Sequence, residues 1–187
     1  MKLKKINAVL GLLSSLALLI HMAYSAFAYL TFYYNPRLKT LTALPFIILV
    51  CAHAICGMCA VFLHGDGTRL DAYPRYNRTT LIQRISAALI FPLLIVHLNN
   101  FTWMKNSAAK GQWAFFWLLV LLQLLFFGVV GAHISTSFSK GLITLGLLSD
   151  RKKQKTLDRI CTILCVLIFL TAAIFVLRGE LSMFLKV

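Results

Sequence analysis

The chain has 187 residues, is 60% hydrophobic with a mean hydropathy of +0.83, and carries a net charge of +14. A soluble domain of this size could not hide that much apolar surface, so a water-soluble globular fold is excluded. Nucleic-acid binding is not expected despite the positive charge, because no folded soluble part exists to carry such a site.

Five stretches lack Asp, Glu, Lys and Arg: 6–36, 40–65, 85–104, 111–139 and 160–177. Each is at least 18 residues long, against the roughly 20 that a helix needs to cross a hydrocarbon layer about 30 Å thick. The expectation is one all-α integral membrane domain, 1–187, with five transmembrane helices near 6–33, 41–64, 80–104, 112–138 and 158–178. Helices one to four are expected to form a four-helix bundle.

The first stretch follows Met1-Lys2-Leu3-Lys4-Lys5 and resembles a signal peptide in outline. Its apolar run exceeds the roughly 7–15 residues of a signal core, and His21 sits at mid-span, so it reads as a helix. Pro45 in the second stretch and Pro92 in the third are tolerable where neighbouring helices satisfy the freed carbonyls. Gly65-Asp66-Gly67 punctuates the end of the second, and Asp150 to Lys155 form a solvated basic turn before the fifth. Short outer loops are expected near 37–39 and 105–110, longer inner ones near 66–82 and 140–158, with consecutive helices packing as antiparallel neighbours. No acidic residue falls inside an apolar stretch; the nearest is Glu180, at the outer end of the fifth helix.

With the N-terminus inside, thirteen of the nineteen Lys and Arg lie on inner segments. They are Lys2, Lys4, Lys5, Arg69, Arg75, Arg78, Arg84, Lys140, Arg151, Lys152, Lys153, Lys155 and Arg159. The positive-inside rule then predicts a multi-pass protein of the cytoplasmic membrane, N-terminus in and C-terminus out. The same charges attract anionic membrane lipid and suit a cytoplasmic docking partner. Phe32, Tyr33, Tyr34, Trp103, Trp113 and Trp117 mark the outer boundary as an aromatic belt. Cys51, Cys56, Cys59, Cys161 and Cys165 all lie in apolar helix, where small packing residues are expected and structural disulfides are not.

Four of the five histidines, His21, His53, His97 and His133, fall in four different apolar stretches. An ionisable side chain at bilayer depth is costly without a partner, and marks a functional site by default. Helix direction and rise put His21 roughly 3 Å and His97 roughly 7 Å outward of the midplane. The same reckoning puts His53 roughly 2 Å and His133 roughly 12 Å inward. Depth alone therefore pairs His21 with His97, and His53 with His133, across the diagonals of a four-helix bundle. Paired imidazoles between membrane helices suit haem iron, and two axial histidines leave no open position, so electron transfer is the chemistry. Small residues beside the ligands leave room for a macrocycle: Cys56, Gly57 and Ala60 near His53, Ser14, Ala17 and Ser25 near His21, Gly128 and Gly131 before His133. The same residues also let bare helices pack closely. His64 ends the second helix beside Asp66; it and Arg84 are candidates for a haem propionate.

The residues around these histidines resemble the single-chain, five-helix, di-haem cytochrome b anchor of succinate dehydrogenase and quinol:fumarate reductase. The likeness rests on His53-Ala54-Ile55-Cys56-Gly57, on Gln83-Arg84-Ile85-Ser86 with His97 fourteen residues after the Gln, on Gly11 before His21, and on His133 with the run to Gly146. It covers almost the whole chain. The segment Lys5-Ile6-Asn7 departs from the polar cluster that often opens the family's first helix. The resemblance implies two haems b, the His21–His97 haem distal and the His53–His133 haem proximal to docked subunits. It implies flavoprotein and iron–sulfur partners on the cytoplasmic face, and a quinone of menaquinone type. The chain carries no dinucleotide or iron–sulfur motif of its own, so dicarboxylate chemistry belongs to those partners. Tyr24, Asn100 and Trp103 are the residues offered to the quinone at the outer side; Arg84 and Ser86 mark the alternative inner place. Two competing readings stand beside this one: a di-haem cytochrome b of another dehydrogenase, and a haemless transporter or scaffold with histidines as polar links.

Overall fold

A computed structural model describes residues 2–64 and 74–184; the side chains of His64 and of residues 74–77 lie outside that description. The described residues form five helices and no strand: α1 (Lys2–Thr31), α2 (Pro36–His64), α3 (Pro74–Ala109), α4 (Trp113–Leu145) and α5 (Arg151–Phe184). All five are long and apolar enough to cross a membrane, as in a multi-pass membrane protein.

The helices outrun their apolar cores because local caps, not hydropathy, end them. Asn35 caps α2: its Oδ1 accepts from the backbone N–H of Arg37 at 3.0 Å and of Leu38 at 3.3 Å. Pro36 follows as the first helical residue, where its missing N–H costs nothing. Asp150 caps α5 in the same way, accepting from the Lys152 N–H at 2.7 Å. At the C-terminus of α4, Gly146 takes φ +80°, and the Leu147 N–H reaches back to the Leu142 carbonyl at 2.9 Å. Gly111 repeats that arrangement after α3, with φ +67° and a Gln112 N–H to Ser107 carbonyl bond of 2.8 Å. Both glycines supply the left-handed turn that these endings require. Three loop expectations are corrected accordingly. Residues 37–39 form the first turn of α2, Lys105 stays within α3, and the connection expected over 140–158 shrinks to 146–150. The connection expected near 66–82 is shorter as well, since α3 starts at Pro74; its part over 65–73 lies outside the described residues.

Two antiparallel pairs, α1 with α2 and α3 with α4, are joined by an α1–α4 seam, and α5 lies along α4 and α1. Consecutive helices are neighbours except for α2 and α3, which make no comparable contact among the described residues. Among the described residues the side between α2 and α3 is therefore open. A first core cluster, Leu93, Leu94, Phe126 and Val129, sits mid-way along the α3–α4 seam. A second, Met104, Phe116, Leu119 and Val120, gathers Leu177, Leu181 and Phe184 from α5. Among the described side chains of α2 none is buried, and large apolar side chains such as Leu41, Ile48, Ile55 and Phe62 point outward. Apolar surface of that extent would aggregate in water and is at home in lipid.

Two expectations about small and acidic residues change. A side chain at Gly128 would meet Phe169 at 3.7 Å, and one at Gly131 would meet Cys165 at 3.8 Å. Both glycines thus face α5 and serve close helix packing, not the His133 ring. Glu180 does not end the fifth helix: α5 runs on to Phe184, and Glu180 is 1% exposed inside the bundle.

Candidate functional site

The N-terminus of α1 and the 146–150 turn share one end of the molecule, here the basic end; the 32–35 and 110–112 connections share the other, the aromatic end. Nearer the basic end, His53 of α2 and His133 of α4 meet with ring centroids 6.3 Å apart and planes inclined at 70°. Their helices do not pack directly on each other, so the rings themselves span the gap. His53 Nδ1 lies 3.0 Å from the Asn7 carbonyl of α1. His133 Nδ1 lies 3.0 Å from the Gln83 carbonyl and 3.2 Å from the Ser86 hydroxyl, both of α3. A backbone carbonyl accepts only, so each Nδ1 is held as the N–H donor, which turns the Nε2 lone pair outward. Neither Nε2 has a hydrogen bond among the described residues, and the two rings do not bond to each other.

Two imidazole nitrogens are chemically suited to a transition-metal ion, and the 6.3 Å between the centroids can be compared with that geometry. Imidazole nitrogens ligate transition metals at about 2 Å, so two rings on one ion have centroids about 6 Å apart. Local sequence makes room for the arrangement. A Cβ on Gly11 would sit 2.9 Å from His53 Cε1, so only glycine lets α1 approach the ring. Gly57 on α2 faces the Asn7 side chain, where a Cβ would make an ordinary contact at 3.6 Å. Three hydroxyls of α4 turn back onto their own helix beside His133: Ser135 and Thr136 bond the Ala132 carbonyl and Ser137 the His133 carbonyl. Lys140, two turns further, donates to Thr80 Oγ1 at 3.1 Å and Gln83 Oε1 at 3.0 Å. Gln83 thus touches both the ring and the cation. A group of three or more His, Cys, Asp or Glu able to hold a metal does not occur among the described residues. A haem pair needs only two.

The second pair lies toward the aromatic end and is not closed in the same way. His21 of α1 stacks on Phe46 of α2, centroids 6.4 Å apart, with Nδ1 3.4 Å from Thr42 Oγ1. His97 of α3 stacks on Phe126 at 4.9 Å and meets Phe127 edge-on at 6.0 Å. Its Nδ1 is buried and without a partner. No ring contact joins His21 to His97 among the described residues. The His97 ring thus sits in an aromatic cage, and among the described residues this pair makes no ring contact like that of His53 with His133.

The remaining expected site residues divide. The Tyr24 hydroxyl pins the 32–35 turn, donating to the Asn35 carbonyl at 2.8 Å and accepting from its N–H at 2.9 Å. Asn100 is 1% exposed and donates to Gln123 Oε1 and to Met104 Sδ. Trp103 stays partly exposed on α3. These three do not converge. Arg84 is half-buried on α3, beside Gln83; the His64 side chain, expected near a propionate, lies outside the described residues.

Sequence reasoning found the histidines and named Gly11, Gln83 and Ser86 as motif residues, but did not assign them, or Asn7, the role of holding the rings. A residue that acts through its backbone carbonyl carries no signal in its side-chain type. Also missed was a buried polar chain at the aromatic end: Asn100 to Gln123, Gln123 Nε2 to Glu180 Oε1 at 2.9 Å, and Tyr29 hydroxyl to the same oxygen at 3.5 Å.

Comparison of the chain with protein-family models, with curated proteins and with solved structures gives no match. Fold and site together define a multi-pass helical membrane protein in which, among the described residues, half-buried His53 of α2 and His133 of α4 bring their rings into contact.

Proposed function

We propose that this chain is a di-haem membrane anchor that carries electrons between docked soluble subunits and a membrane quinone, in a succinate:quinone or quinol:fumarate oxidoreductase. The observation that carries the reading is the His53–His133 pair: 6.3 Å between centroids, both Nδ1 atoms tied to carbonyls of neighbouring helices, both Nε2 atoms unbonded. Bound there, held by His53 and His133, a haem b would supply reversible one-electron transfer. Asn7 and Gln83 fix the tautomer and aim of the two ligands. Gly11 leaves space for one ring, and the unpaired side between α2 and α3 is where a flat macrocycle would enter. Lys140 and Arg84 stand at the basic end, where carboxylate arms of such a group would find cations.

His21 and His97 are the proposed ligands of a second haem, with Phe46, Phe126 and Phe127 as the walls against which it would be inserted. His97 Nδ1 lacks any partner, which supports a role not yet satisfied by protein atoms. The quinone is proposed to approach at the aromatic end, near Trp103. Tyr24 and Asn100 would serve it only by giving up their present partners. The basic end is proposed to face the cytoplasm and to receive a flavoprotein and an iron–sulfur protein.

One observation favours a second reading in part. His21 bonds Thr42 and both aromatic-end rings stack on phenylalanines, as polar links in a haemless bundle would. Purification of the intact complex from its membrane separates these. The reading expects a low-spin bis-imidazole haem spectrum, reduction by quinol, and co-purifying flavin and iron–sulfur subunits. A colourless preparation would overturn it in favour of the haemless scaffold. A haem spectrum with a hydrogenase or formate dehydrogenase as partner would keep the haems and replace the enzyme.

A further inference from the structure

The polar chain at the aromatic end links four helices through one carboxyl group. Glu180 of α5 accepts from Gln123 of α4 and from Tyr29 of α1, and Gln123 in turn accepts from Asn100 of α3. Both donors reach the same oxygen, Oε1. The other oxygen, Oε2, is buried and has no partner; Asn100 Oδ1 is buried and has no partner either. Among the described residues no Lys, Arg or His pairs with Glu180, and Arg178 two residues away is exposed.

An ionised carboxylate in such a place would leave a full charge in an apolar bundle with one oxygen bare. Burying an unpaired charge is strongly unfavourable, and the group responds by taking up a proton. A proton on Oε2 removes the charge and turns a bare acceptor into a donor. The network already contains an acceptor of the right kind without a donor, the Asn100 amide oxygen.

We propose that Tyr29, Asn100, Gln123 and Glu180 form a proton-binding site, in which Glu180 is held as a neutral carboxylic acid that fastens the C-terminal half of α5 to α1, α3 and α4. The inference does not depend on haem binding. It assigns α5 its function within the fold: the helix carries no histidine, and at Gly179 it presses against the Tyr29 ring so closely that a Cβ there would collide with the ring. Loss of the proton would require a counter-ion to enter or α5 to move.

Glu180 is the only glutamate of the 187 residues, so it can be read without mutation. The full chain, folded in lipid bilayers with carboxyl-13C glutamate, is compared by infrared difference spectroscopy with the unlabelled chain at neutral pH. The expected result is one isotope-shifted carbonyl stretch of a protonated carboxylic acid, which moves again in heavy water. An isotope shift confined to the carboxylate stretches would overturn the proposal. Movement of that band on exchange of sodium for potassium would then assign the site to an alkali cation. A second readout uses stability. Glu180→Gln, with an amide donor in place of the hydroxyl, is expected to melt close to the parent, and Glu180→Leu well below it. Equal losses in the two variants would overturn the proposal.

Discussion

At the residue scale, the site depends on how His53 and His133 are held. A methyl at Gly11 would crowd His53 Cε1 at 2.9 Å and Nδ1 at 3.2 Å. Alanine would add about 1 kcal/mol of helix propensity, whereas crowding a packed ring costs about 1–3 kcal/mol. Gly11→Ala is therefore expected to keep the fold, displace the ring, and lower haem content in the purified chain. Unchanged haem content and spectrum would show that α1 does not constrain this ligand. Asn100 gives a second case. Asn100→Leu removes the donor to buried Gln123 Oε1, a loss of about 1–3 kcal/mol, to be read as a lower melting temperature in detergent. Unchanged quinol-dependent haem reduction in that variant would place quinone binding elsewhere. The four histidines were legible in the sequence because an ionisable group in an apolar run stands out. The carbonyl partners of His53 and His133 were not, since any residue type at position 7 or 83 presents the same backbone.

At the element scale, five helices were legible from hydropathy, and their ends were not. Charged residues such as Arg151, Lys152 and Lys153 belong to α5 because Asp150 caps it, a local hydrogen bond that hydropathy does not register. The same extension at the other end carries Glu180 into the bundle, where an apolar-window reading had left it outside. Depth groups His53 with His133, and their ring centroids lie 6.3 Å apart, while the packing of α2 against α3 does not follow chain order among the described residues. The tight α5–α1 approach yields a test of its own. Gly179→Ala would place a methyl against the Tyr29 ring, whose Cε1 lies 3.1 Å from that position. A loss of about 1–3 kcal/mol is expected. Combining it with Tyr29→Ala should cost less than the sum of the single changes, because the two residues touch. Strict additivity in thermal unfolding would argue that this contact is not made.

At the scale of the whole molecule, Arg151, Lys152 and Lys153 are exposed at the basic end, and Lys105 and Lys110 at the aromatic end. Reversing charge at the first three is expected to weaken association with soluble subunits more than reversal at the other two. Equal effects on co-purification would leave these charges as topology signals alone. The central claim concerns what lies between α2 and α4, and spectroscopic titration of haem in histidine variants tests it most directly. His53→Ala and His133→Ala are each expected to remove one low-spin haem from the purified chain, and the same one. The double variant should lose no more than either single change, and His64→Ala should leave both haems. Loss of two different haems from the two single variants, or retention of both haems in either, would contradict the account.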